Sequence, residues 1–171
     1  MEDLEKKLTK LKKHMKVVAS LCYIENDDDE VLMLLRNKKE NDMHEGKYNG
    51  LGGKSDPGED PLSCVRREVE EEAGIRVEPT YMGNITFENF MPGIDWEVHL
   101  FRAKGYEGEL KECPEGDLEW VRKENLLDLN LWDGDKVFLK YVFGDRFFFG
   151  RFEYSDGELK DHNITLMNYI E

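Results

Sequence analysis

Between Asp60 and Ile75 the chain reads DPLSCVRREVEEEAGI, which sets Glu68, Glu70, Glu71 and Glu72 almost side by side. Carboxylates this dense repel one another unless something positive answers them. Hard divalent cations take such oxygen ligands, and Mg²⁺ is commonly held by a few carboxylates together with substrate phosphates. The glycine turn just before, Gly52-Gly53, adds bare backbone carbonyls and a close approach for a ligand. The chemistry on offer is therefore phosphate chemistry through a metal. A blander reading is a solvated helix face with the (i, i+4) ion pairs Arg66–Glu70 and Arg67–Glu71, each worth about 0.3–0.5 kcal/mol. That reading leaves Glu68 and Glu72 as an uncompensated like-charged pair.

The glutamates need a helix to sort them. Asp60 is a good N-cap, Pro61 suits the first helical position, and Gly74 suits the position after the last. A helix over 61–73 is predicted. At about 100° per residue, Leu62, Val65, Val69 and Ala73 form one stripe expected to face the core. Glu68, Glu71 and Glu72 share a neighbouring arc of roughly 100° on the same wheel, while Glu70 points the other way, near Arg66.

Other segments supply the frame. KVVASLCYIE and EVLMLLR, joined through NDDD, read as a hairpin, and residues 37–48 as a polar loop. Segments 75–90 and 95–108 read as long strands joined at Met91–Gly93, and 118–129 as a strand leading into a turn. Residues 135–143 read as a helix, and 145–164 as a hairpin with Ser155-Asp156-Gly157 at its tip. Leu4, Leu8, Leu11 and Met15 recur at helical spacing, which predicts an amphipathic helix over 2–14 docked on the body. A lysine-rich helix for a membrane or partner is its alternative. The expectation is an α+β architecture, with an extension at 1–15 and one domain at 16–171.

Composition narrows the partners. The 171 residues carry 24 basic and 38 acidic side chains, a net charge of −14. That balance disfavours nucleic-acid polymers and anionic membranes, but not a small phosphorylated molecule bridged by a cation. No run approaches the ~20 apolar residues of a membrane span, and the N-terminus has no apolar signal region. Cys22, Cys64 and Cys113 are odd in number and lack CxxC spacing, so free thiols in a reducing cytoplasm are expected. His14, His44, His99 and His162 show no metal-like spacing and are taken as structural or exposed. Cys64 has no base partner in sequence and is not expected to be a nucleophile.

The wider pattern is Gly53, five residues, Glu59, seven residues, Arg67-Glu68-Val69, one residue, Glu71-Glu72, one residue, Gly74-Ile75. A chance match is on the order of one in 10⁵ to 10⁶ from composition. The pattern resembles the Nudix box at every position. The resemblance implies an α/β/α sandwich with a mixed sheet, and hydrolysis of nucleoside diphosphates linked to a further group. It also implies Mg²⁺, with Mn²⁺ able to substitute, on Glu68, Glu71, Glu72 and the Gly53 carbonyl. Glu68 would polarise the attacking water, Arg67 would orient the glutamates, and Glu59 would brace the loop against the helix.

Outside the box, KYNGLGGK, LWDGDKVFLKYVF and FFFGRFEYSDGEL resemble segments of the 8-oxo-dGTP diphosphatases, so the likeness covers roughly 16–165. It implies that Asn49 and Asp135 read a purine edge, Trp132 stacks on the base, and Phe87 and Met43 wall the pocket. Glu115 would be a distal acid assisting metal or water, and Arg36 a phosphate contact. One departure stands out: the vertebrate member of that group has two adjacent acids after its tryptophan, whereas this chain has Gly134-Asp135. The expected reaction is cleavage of a nucleoside triphosphate, 8-oxo-dGTP or a related oxidised purine, to monophosphate and pyrophosphate by a monomer or homodimer. The alternatives are another Nudix substrate (a dinucleotide, nucleotide sugar or RNA 5′ end) and a ligand sensor without turnover.

Overall fold

The computed structural model describes residues 1–12 and 16–168. Helix α1 spans Glu2–Lys12; strands β1 and β2 span Lys16–Glu25 and Glu30–Arg36. Strands β3 (Tyr48–Asn49) and β4 (Leu51–Lys54) lead to helix α2 (Pro61–Ala73). Then come β5 (Thr80–Met91), β6 (Ile94–Lys104), β7 (Gly116–Arg122), a 3-10 turn at Lys123–Asp128, α3 (Asp133–Val142), β8 (Phe148–Ser155) and β9 (Glu158–Leu166).

Nine strands among the described residues make one mixed sheet, ordered β3-β2-β1-β6-β5-β8-β9, with β4 on β1 and β7 on β2. β1 runs parallel to β6 and β5 parallel to β8; the other pairings are antiparallel. Side chains alternate across the sheet as the period of two requires. Tyr23 and Met33 join a core under Phe138, Leu139 and Val142 of α3. Cys22, Ile24 and Leu32 join a second core under Val65, Val69 and Ala73 of α2. One helix thus covers each face, the α/β/α sandwich expected.

The β1–β2 hairpin forms, and Asn26 shapes its turn by accepting the backbone N–H groups of Asp28 and Glu30 at 3.0 Å each. Its register pairs only Ile24 and Glu25 with β2, because β4 takes Ala19 to Cys22 on the same edge of β1. The strand predicted from Ile75 begins at Thr80 instead. Pro79 just before it has no N–H to give a ladder, so pairing starts after it. Tyr48, assigned to the loop, opens β3.

Two helical expectations need correction. Leu62 is 37% exposed rather than core-facing, and Cys64 and Glu72 are buried with Val65, Val69 and Ala73. The buried arc of α2 is therefore rotated toward the glutamates, and Leu62, in the first turn, falls beyond its edge. Helix α1 forms, but on its apolar stripe Leu4 is 61% and Leu8 48% exposed rather than docked. His14 and Met15 lie outside the described residues.

Candidate active site

The loop between β4 and α2 is held by its own acids. Asp60 accepts the Ser63 N–H at 2.9 Å and caps α2, while Gly74 closes the helix in the left-handed region with its N–H on the Glu70 carbonyl. Glu59 takes Arg67 in a two-point clasp, Nε and Nη2 each at 2.8 Å, and accepts the Asp56 N–H at 3.1 Å. The Arg67 hydrogen bonds pull the Glu59 carboxyl down to about pKa 2. Arg67 also reaches Glu68 at 2.8 Å, Glu71 at 3.1 Å and the Lys54 carbonyl at 3.2 Å. It is the hub joining loop, strand and helix.

The three carboxylates expected to converge are drawn apart. Glu68 and Glu71 turn to Arg67, while buried Glu72 accepts the Gly52 N–H at 3.1 Å through Oε2. Among the described residues no three His, Cys, Asp or Glu side chains are gathered as a metal group. Glu68 is therefore not the uncompensated member of a like-charged pair. Arg66 pairs with Glu78 at 2.8 Å rather than with Glu70. Glu70 is exposed on the opposite side, as the helical wheel required.

The donor set nevertheless suits a hard cation. Glu72 Oε1 is buried without a hydrogen-bond partner. Burial, with Glu115 and Glu68 nearby, raises its pKa well above the ordinary carboxylate value. An ionised carboxylate there calls for positive charge. Desolvation raises Glu68 as well. Gly53 leaves the room such chemistry needs, since a Cβ there would stand 2.6–2.7 Å from the Glu68 carboxyl. The Gly53 carbonyl receives a long contact from the Cys64 thiol, 3.5 Å. Cys64 itself is kept protonated by burial, and the nearby Glu59 carboxylate raises it further. All three cysteines are free and buried.

A cavity of about 470 Å³ runs from this carboxylate edge into an aromatic chamber. Its near end carries Gly53, Glu68, Glu115, Arg36, Lys39 and Lys54. Arg36 is already held, by Asp42 at 2.9 Å and by Glu115 at 3.2 Å. Its far end carries Met43, Phe87, Trp132, Asn49 and Asp135. Nine of the residues singled out by sequence thus line one space; Arg67, Glu71 and Glu72 stand behind it.

The chamber has a polar floor. Asn49 and Asp135 are 7% and 6% exposed, and both line the cavity. Desolvation, partly offset by Lys47, pushes Asp135 up to about pKa 7. Gly134 explains why only one acid stands here. Its N–H donates to Tyr154 Oη at 2.7 Å, and a Cβ would lie 2.7 Å from that oxygen and 2.8 Å from the Phe152 ring. A side chain at 134 would have to displace both rings.

Sequence reasoning missed part of the wall. His44, taken as structural or exposed, lines the chamber with Phe90 and Trp96. Phe90 packs edge-on to Trp132 at 4.9 Å, and Trp96 Nε1 is buried without a partner. The signal lay in the apolar alternation of the 84–98 hairpin, interrupted by a bulge between Phe87 and Met91 that redirects Phe90. His99 and His162 are outside the cavity, His99 bonded to Tyr81 at 2.6 Å.

A two-helix mixed-sheet sandwich whose glutamate helix borders a cavity of about 470 Å³ is the architecture of a hydrolase. The model for the NUDIX domain matches residues 15–142, and the chain belongs to that family. The chain is 34% identical over 110 residues to the oxidized purine nucleoside triphosphate hydrolase of Danio rerio, covering 64% of this chain and 70% of that one. It is 31% identical over 105 residues to the 8-oxo-dGDP phosphatase NUDT18 of Mus musculus, covering 58% of this chain but only 30% of that protein. Among solved structures it resembles the MutT protein of Bacillus halodurans: TM-score 0.76, 34% identity, 86% of this chain and 97% of that one. The protein is a Nudix hydrolase, an enzyme class that generally depends on a divalent metal. No helix among the described residues is long and apolar enough to cross a membrane.

Proposed function

We propose that the enzyme hydrolyses oxidised purine nucleoside triphosphates, 8-oxo-dGTP foremost, to the monophosphate and pyrophosphate. The observation that carries this reading is the polar floor: an amide and a carboxyl, both from largely buried residues, lining an aromatic chamber that opens onto the glutamate helix. A ligand that failed to pair with them would leave each unsatisfied at a cost of about 1–3 kcal/mol, and a purine edge would pair with both. Trp132 and Phe90 offer faces and edges for its ring.

In this reading Glu68, Glu71, Glu72 and the Gly53 carbonyl hold Mg²⁺, with Mn²⁺ able to replace it. The cation when bound would neutralise phosphate oxygens and activate water. Arg67 holds Glu68 and Glu71 from one side, and Glu59 holds Arg67. In the same reading Glu68 takes a proton from water and Glu115 serves as a second acid; both line the cavity. Lys39 and Lys54 supply positive charge for the phosphate chain. Asp135, near pKa 7, can present either an O–H donor or an acceptor to the base. Residues 16–171 form the catalytic unit, with 1–15 an extension.

The mouse relative, named an 8-oxo-dGDP phosphatase, favours one second reading: the same base pocket serving a diphosphate. The test is a panel of 8-oxo-dGTP, dGTP, 8-oxo-dGDP, a dinucleotide and a nucleotide sugar, scored for pyrophosphate and phosphate release with Mg²⁺. Pyrophosphate from 8-oxo-dGTP, well ahead of dGTP, supports the proposal. Faster phosphate release from 8-oxo-dGDP replaces it with the second reading. Preference for a dinucleotide or nucleotide sugar removes the purine pocket assignment and leaves the hydrolase.

A further inference from the structure

His44 has a role that none of the residues discussed so far fills. Its Nδ1 receives the Trp132 Nε1–H at 2.9 Å. An indole N–H can only donate, so Nδ1 must carry a lone pair and the proton of the neutral ring must sit on Nε2. The ring is caged: Phe90 stacks on it at 6.1 Å, and Trp96 and Trp132 meet it edge-on at 6.4 and 5.8 Å. Its backbone is fixed too, with the N–H on Asp42 Oδ1 at 3.1 Å and the carbonyl accepting from Lys47. Nε2 has no partner among the described residues, and the side chain lines the cavity.

We propose that His44 is a positioning residue for the base-stacking indole: it holds Trp132 through the Nε2–H tautomer and leaves Nε2–H as a donor toward the bound nucleotide. The proposal rests on the purine reading of the chamber. The charged groups that face the ring are Arg36 from β2, Asp42 from its own turn, Lys54 from β4 and Glu115 from the loop before β7. Lys47 lies over the Trp132 ring at 5.0 Å. Desolvation, then Arg36, lowers His44 to about pKa 4, so the imidazole stays neutral through the physiological range. Protonation at Nδ1 would set one N–H against another, so the imidazolium and the Trp132 bond exclude each other.

The experiment is ¹⁵N–¹H spectroscopy of the full chain without nucleotide, joined to steady-state kinetics. His44 should show the Nε2–H tautomer at pH 7. The Trp132 indole resonance, assigned through Trp132→Phe, should shift in His44→Phe and return toward its original place in His44→Gln, whose amide oxygen can accept the same bond. The indole resonance should stay constant from pH 8 to about 5.5, as a ring titrating near pH 4 requires. KM for 8-oxo-dGTP and dGTP should rise together about five- to tenfold in His44→Phe, with kcat within about twofold and rescue by His44→Gln. An indole resonance indifferent to His44→Phe, a midpoint near the ordinary histidine value, or a glutamine variant as weak as phenylalanine overturns the proposal. A panel preference for non-purine substrates sinks the purine reading instead and leaves the spectroscopic result standing, so the two failures are separable.

Discussion

The two ends of the cavity solve opposite problems. At the carboxylate end almost every charge is answered: Glu59, Glu68 and Glu71 by Arg67, Arg36 by Asp42 and Glu115. Among the described residues, Glu72 Oε1 is the carboxylate oxygen left without a partner there, with Ser55 Oγ of the β4–α2 loop also unpaired. At the aromatic end the polar groups of Asn49 and Asp135 stand among aromatic rings. The first end is an electrostatic lattice in which one guanidinium serves three carboxylates. The second sets two polar groups in a largely apolar wall, which favours discrimination over strength. Reaction class should therefore depend on the first end and substrate choice on the second, and each can be broken separately.

The largest effect is expected where the lattice leaves that carboxylate oxygen unpaired. Glu72→Gln keeps the Gly52 hydrogen bond but removes the buried charge, and should lower kcat by roughly 10²-fold or more with folding retained. Glu70→Gln, on the exposed side, should match wild type. Chelation should abolish turnover in both and added Mg²⁺ should restore it in the second. Equal damage from the two substitutions, read by pyrophosphate release, would mean that the helix face is wrongly assigned.

At the other end, Asp135→Asn should cut the preference for 8-oxo-dGTP over dGTP by roughly ten- to a hundredfold while leaving kcat at saturation nearly intact. The same change has a thermodynamic signature. Asp135 keeps its proton to about pH 7 in the folded protein, against an ordinary 3.8. The unfolded chain therefore binds fewer protons between those values, and stability falls as pH rises through 7. From pH 6 to pH 8 the loss from this group is about 1.4 kcal/mol, and Asp135→Asn should not show it. Urea titrations of both proteins at the two pH values give the difference directly. Identical slopes would place Asp135 in a wetter site than the cavity floor.

A smaller effect tests how far the lattice depends on geometry. Arg67→Lys keeps the charge but cannot hold Glu59 at two points while reaching Glu68 and Glu71. Turnover should fall about tenfold, with little change in the selectivity ratio between 8-oxo-dGTP and dGTP. A large change in that ratio would show that the two ends are coupled.

The contrast also explains what could be read in advance. Asp60, Pro61, the glutamates and Gly74 lie within one helix, where 3.6 residues per turn converts spacing into direction. The helix accordingly runs from Pro61 to Ala73, as its caps required. Even so, the wheel misplaced Leu62, because a first turn can overhang the sheet that defines the core. The aromatic chamber draws on β2, β3, β5, β6, α3 and the 37–47 loop, so its assembly depends on sheet order, which spacing does not encode. Asn49, Trp132 and Asp135 were found through likeness to a family. His44 and Trp96 lie where that likeness offers no guide, and only the fold brings them to the wall.

The smallest effect is expected from helix α1, which belongs to neither end. Its sequence has the spacing of a docked helix, and its removal would ordinarily cost the burial of Leu4 and Leu8. Both are exposed, so that burial is absent and the loss should be correspondingly slight. The ion pair of Lys7 with Asp3 at 2.8 Å is internal and exposed, the kind that contributes only a few tenths of a kcal/mol. Among the described residues, no lining residue of the cavity lies before Ala19. Deleting residues 2–12 should shift unfolding free energy by less than about 0.5 kcal/mol and leave both kcat and the 8-oxo-dGTP preference unchanged. Urea denaturation and the nucleotide panel measure both. A folded truncation that loses activity, or a drop of several kcal/mol, would show that the apolar face of α1 is covered in solution, and sedimentation of the two proteins would then reveal whether a second copy covers it.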